Sequence, residues 1–121
     1  MISLDSNQLN QIKRIGEGAY PNECCGVLVG SIQNGTKYVS EVIEAVNQRS
    51  DSASNRYLIA PEFILELERR LRGTENEILG FFHSHPDVPA RPSIYDRDHA
   101  WPWYCYVITS VRKGKAEEIL A

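Results

Sequence analysis

Two β-rich runs, ECCGVLVGSIQ and TKYVSEVIEAV, are separated by nothing but Asn34-Gly35. That dipeptide accepts positive φ at both positions and closes the two-residue turn whose twist matches paired strands. A hairpin centred there fixes the antiparallel register of residues 23–33 against 36–46. An isolated two-stranded ribbon is marginal in water, so further strands and a helical layer have to cover it. Everything else in the chain has to be added to that ribbon.

The flanking segments supply such elements in alternation. Residues 5–18 place Leu9, Ile12 and Ile15 on one face behind Asp5 and Ser6, the pattern of a short amphipathic helix, capped at its start and ended near Gly16 or Gly18. Downstream, NQRSDSASN (47–55) reads as a polar loop and RYLIA (56–60) as a short strand. Pro61 then opens a helix with Glu62 in its first turn, Ile64, Leu67 and Leu71 on its apolar face, and Gly73 as its stop. A strand is expected from Glu77, a short helix over 94–100 ended by Pro102, a buried strand at YCYVITSV, and a last strand over Lys115–Leu120. Strands and helices interspersed around one mixed sheet make the class α/β or α+β.

At 121 residues the chain is sized for a single domain, residues 1–121, that buries about two-thirds of the surface exposed by its unfolded form. A net charge of -3 lacks the Lys/Arg surplus that nucleic acid or an anionic membrane demands. No apolar run approaches the roughly 20 residues that span a bilayer. The opening MISLDSNQLNQIKRIGEG is too polar for a secretory signal. Three cysteines, two of them adjacent, make no disulfide framework, so a reducing, cytoplasmic compartment is expected.

GFFHSHPDVPARPSIYD, residues 80–96, carries the chemistry. On a regular strand Leu79, Phe81, His83 and His85 share one face, which sets two imidazoles side by side on a rigid element. Asp96 follows across a loop holding Pro86, Pro89 and Pro92, long enough to fold back and offer a carboxylate. Two histidines and one carboxylate leave a fourth tetrahedral position for water, the donor set of a catalytic zinc site. A plainer reading stands beside it. Ser93-x-x-Asp96 also fits a capping box, with the serine at N-cap and the aspartate at N3. His-x-His alone arises easily in unrelated chains. By itself Glu23 reads as a solvent-facing acid before a strand.

Taken together, His83-Ser84-His85, seven residues, Ser93, two residues and Asp96, with Glu23 near the start of the first long strand, resemble the signature of the JAMM (MPN-type) metalloprotease family. The resemblance runs from the N-terminal helix through ECCG, the hairpin and the histidine motif to YVITSV, and is nearest to the compact prokaryotic branch. It implies a JAMM/MPN, cytidine-deaminase-like fold, a single mixed sheet flanked by helices. It implies one Zn2+ per chain on His83, His85 and Asp96, with water as fourth ligand. Glu23 becomes the general base and Ser93 the donor to the oxyanion. The implied reaction cleaves a peptide or isopeptide bond after the C-terminal Gly-Gly tail of a small ubiquitin-like or sulfur-carrier (β-grasp) protein. A homodimer is compatible with this.

Three alternatives remain: a deubiquitinase-like or desampylase-like isopeptidase acting on conjugated proteins, a RadC-like protein, and a non-catalytic MPN scaffold. RadC-like chains carry Asn between the histidines where this one has Ser84, and scaffolds usually lack motif residues that are all present here. Among the neighbours, Cys24 and Cys25 face opposite ways on a strand, so both cannot reach one metal, and they read as small buried hydrophobes. Cys105 reads as core and Asp87 as a loop acid. His99 reads as a partly exposed helix histidine, with a contact supporting a metal ligand as the alternative. Trp101 and Trp103 are expected over the helix end, with a substrate groove as the alternative.

Overall fold

The hairpin turns where Asn34 and Gly35 allow it, both in the left-handed region at φ 52 and 80. In the computed structural model, residues 2–46, 59–87, 90 and 104–120 are described. In chain order the elements are β1 (Ile2–Ser3), α1 (Ser6–Ala19), β2 (Cys25–Gln33), β3 (Thr36–Ala45), α2 (Pro61–Leu71), β4 (Glu77–Pro86), β5 (Cys105–Arg112) and β6 (Lys115–Leu120). The strands form one six-stranded sheet in the order β1-β3-β2-β4-β5-β6. β1 with β3 and β4 with β5 are parallel, and the other pairs antiparallel, so the sheet is mixed. The fold is α+β.

The two helices among the described residues cover opposite faces. Ile12 of α1 packs with Cys24, Leu28, Val42, Leu79, Phe82 and Val107. Leu67 of α2 packs with Cys25, Val27, Val29, Ile78 and Phe81 on the other side. β2 and β4 lie at the centre, buried on both faces, and there a near-continuous apolar run replaces alternation.

Two expectations need correction. The alternation of β4 breaks within the strand: Leu28 pairs with Gly80 but Val29 with Ile78, which leaves Leu79 as an extra, bulged residue. Leu79 therefore packs on the α1 side, opposite Phe81, rather than sharing its face. The Lys37 ammonium donates to the Leu79 carbonyl at 3.3 Å, within the distorted stretch.

Helix α1 also passes both glycines expected to end it and runs to Ala19. A Cβ on Gly16 would meet Val111 at 3.1 Å and Thr109 at 3.2 Å, so this glycine lets the helix approach β5 rather than stopping it. The helix ends instead at Tyr20, which precedes Pro21 and is disfavoured from helical geometry by the proline ring. Its start is as expected: Gln8 N–H donates to Asp5 and the Gln8 side chain accepts from Asp5 N–H.

The second helix opens at Pro61 and is followed by Gly73 at φ 81, and β6 spans its expected residues. Cys105 is half-exposed at the start of β5, not core. The 47–55 loop, the helix over 94–100, Pro102 and residues 56–58 of RYLIA lie outside the described residues. None of the described helices is long and apolar enough to cross a membrane.

Candidate functional site

The C-terminal half of β4 buries three polar side chains in succession: His83, Ser84 and His85, at 1%, 0% and 6% exposure. Their positions come from the flanking strands. His83 sits between Cys25 of β2 and Ile108 of β5, and His85 pairs with Ser110 of β5. Strand alternation turns both histidines to one face and Ser84 to the other. The two Nε2 atoms lie 3.2 Å apart, with ring centroids separated by 5.0 Å and planes tilted by 52°.

That separation fits a shared ion. Two imidazole nitrogens on one tetrahedral zinc, each about 2.0–2.1 Å from the metal, stand about 3.3 Å from each other. The same distance lets one neutral ring donate to the other, so the pair is also compatible as a metal-free hydrogen bond. Among the described residues, no group of three His, Cys, Asp or Glu comes together as a metal site. Asp96, expected as the third ligand, lies outside the described residues, as do Ser93, His99, Trp101 and Trp103.

Glu23 is buried at 4% exposure, which sets aside the solvent-facing alternative. It precedes β2, and the pairing with β4 continues past the strand's formal start. Ser84 N–H donates to the Cys24 carbonyl at 3.3 Å, and Cys24 N–H donates to Ser84 Oγ at 2.8 Å. Glu23 lies one residue beyond this exchange on its segment, as His85 does on β4. Burying a carboxylate costs free energy. A buried acid one residue from that exchange is accordingly a mark of a site rather than of a core.

Asp87, expected only as a loop acid, ties three segments together just past β4. Its backbone is left-handed at φ 60, a region that Asp tolerates better than most residues. Its N–H donates to the Val111 carbonyl, Oδ1 accepts from Lys113 N–H, and Oδ2 accepts from the Tyr20 hydroxyl, each at 2.7 Å. The Lys113 amide and then the Tyr20 hydroxyl hold the Asp87 carboxyl below its ordinary value of 3.8. The same Asp87 bond raises the Tyr20 phenol above 10.0.

The cysteines behave as small buried groups. Cys24 faces the α1 layer and Cys25 the α2 layer. Burial pushes their thiols up to about 11 and about 12, so both stay protonated near neutral pH. Ser110 was missed in the sequence as part of an apolar strand. It is fully buried, and the register places it beside His85. The signal available was the Thr109-Ser110 pair, two polar residues inside an otherwise apolar run.

Residues 5–120 match the family of prokaryotic homologs of the JAB domain. Over 103 residues the chain is 31% identical to the desampylase of Haloferax volcanii, covering 84% of this chain and 72% of that protein. A solution structure of a Desulfitobacterium hafniense protein superposes with a TM-score of 0.79 at 29% identity, over 98% of this chain and 89% of that one. One from Salinibacter ruber gives 0.70 at 35% identity, over 95% and 76%. A JAB1/MPN domain protein from Archaeoglobus fulgidus, at 20% identity and a TM-score of 0.50 over 91% and 87%, shares the fold.

Proposed function

The chain belongs to the JAB/MPN (JAMM-type) family in its prokaryotic branch, and from that premise we propose that it is a zinc-dependent isopeptidase cutting after the Gly-Gly tail of a ubiquitin-like protein. The observation that carries this reading is the pair of buried Nε2 atoms 3.2 Å apart, with a buried glutamate just before the neighbouring strand β2. His83, His85 and Asp96 would hold the ion. A zinc ion held there supplies Lewis acidity, which lowers the pKa of water and polarises a carbonyl.

The protein's own groups perform the rest. Glu23 takes a proton from the attacking water as the new C–O bond forms, then passes it to the departing amine as the C–N bond breaks. The Ser93 hydroxyl donates to the carbonyl oxygen as negative charge develops on it. His83 and His85 keep their orientation because their strand is held on both sides by β2 and β5. A tail ending in glycines suits such a centre, since an extended backbone without side chains can lie close to it.

The likeness to a desampylase favours conjugated ubiquitin-like proteins as substrates, and the linear extensions of a sulfur-carrier protein are the second substrate class, raised by the sequence resemblance alone. A binding-only scaffold would have no use for a buried acid and two buried imidazoles, since apolar residues there cost less. Three free cysteines fit a reducing, cytoplasmic setting. The test is a panel of β-grasp proteins carrying either an isopeptide-linked partner or a linear extension after Gly-Gly, incubated with zinc-loaded protein and read by intact mass. Chelator-sensitive release of the linked partner supports the proposal. Release of neither, from a sample confirmed to hold zinc, contradicts it.

A further inference from the structure

Glu23 stands outside any regular ladder, between the end of α1 and the start of β2, yet a general base has to be held to within a fraction of an ångström. Two cross-links tie this segment to β4, one rooted on the strand and one just past its end. After Glu23, the backbone of Cys24 exchanges two hydrogen bonds with Ser84, the residue before His85. Before Glu23, the Tyr20 hydroxyl donates to Asp87, two residues after His85. The anchor points on one segment bracket Glu23, and those on the other bracket His85.

We propose that Tyr20 and Asp87 are positioning residues, whose hydrogen bond fixes the segment carrying Glu23 against the strand end carrying His85. The inference rests on the hydrolytic reading above and extends it to two residues outside the family signature. Asp87 is suited to the task because its remaining bonds, to Val111 and Lys113, fasten it to the end of β5 and the β5–β6 turn. The φ of 60 is one that Asp or Asn adopts and Ala resists, so Asp87→Asn preserves the geometry while Asp87→Ala strains it. Asp87 is exposed, so breaking the link removes little buried area and leaves the cores intact.

The experiment compares Tyr20→Phe, Asp87→Ala and Asp87→Asn with the wild type and Glu23→Gln. Steady-state cleavage and zinc content are measured on the loaded proteins, and amide hydrogen exchange on the metal-free ones. Tyr20→Phe and Asp87→Ala are expected to lower kcat about tenfold, with KM and zinc content unchanged, while Asp87→Asn restores most of the rate. In the metal-free proteins the amides of Glu23 and Cys24 exchange about tenfold faster in the two broken variants, and those of the β2–β3 ladder do not change. An unchanged kcat overturns the inference, whatever exchange shows. Loss of protection across the whole sheet also overturns it, since the role is then only structural. If instead the wild type does not cleave, or Glu23→Gln keeps full activity, the hydrolytic reading falls. Exchange then decides separately whether the link holds the Glu23 segment.

Discussion

β4 is two different strands in one. Its first half, from Ile78 to Phe82, sends apolar side chains into both layers and has no group that reacts. Its second half, from His83 to His85, is buried as deeply but with polar side chains. Burial in the first half stabilises the fold, whereas burial in the second has to be offset by hydrogen bonds or an ion. Where a strand gives up apolar packing without gaining exposure, the sequence is serving something other than stability.

That contrast is open to direct test. Phe82→Ala, in the apolar half, is expected to cost about 3–5 kcal/mol of stability by leaving a cavity, read by denaturant unfolding. Glu23→Gln should do the reverse. Its unfolding midpoint stays level or rises as a buried charge is removed, while turnover falls about 10²–10⁴-fold in a cleavage assay. Comparable stability losses in the two variants would erase the distinction between the apolar half of β4 and the site at its polar end.

Asp96→Ala sharpens the contrast further. Zinc stoichiometry by elemental analysis should collapse, since the ion then loses its carboxylate ligand. Retained stoichiometric zinc would remove Asp96 from the ligand set.

A separate, pH-dependent effect concerns the thiols either side of the sheet. Their folded pKa values lie above the ordinary 9.0, at about 11 for Cys24 and about 12 for Cys25. Above pH 9 the unfolded chain ionises these thiols while the folded one holds its protons. Their contribution is therefore intact below that pH and is lost as pH rises toward the folded values. Unfolding curves from pH 8 to 11 should show a decline that Cys24→Ser and Cys25→Ser reduce.

Much of this was legible because it is local. The Asn34-Gly35 turn, the Asp5 cap, Pro61 at a helix start and the bounds of β6 each depend on residues within a few positions. The histidine spacing was legible for the same reason. What escaped depends on partners far along the chain. Leu79 changes face because β2 leaves it unpaired, and α1 runs past Gly16 because that glycine meets β5. Glu23 is buried although it stands before β2, and Asp87 reaches a tyrosine 67 residues away. Ser110 takes its place from a parallel pairing that no local pattern announces.

The central claim is that the polar end of β4 is a metal centre. X-ray absorption at the zinc edge, on protein loaded with one equivalent and dialysed, addresses it most directly. The account predicts one tightly held ion per chain with two imidazole nitrogens at about 2.0–2.1 Å, and loss of that shell in His83→Ala. An ion that dialyses away, or one whose shell contains no imidazole, would contradict it.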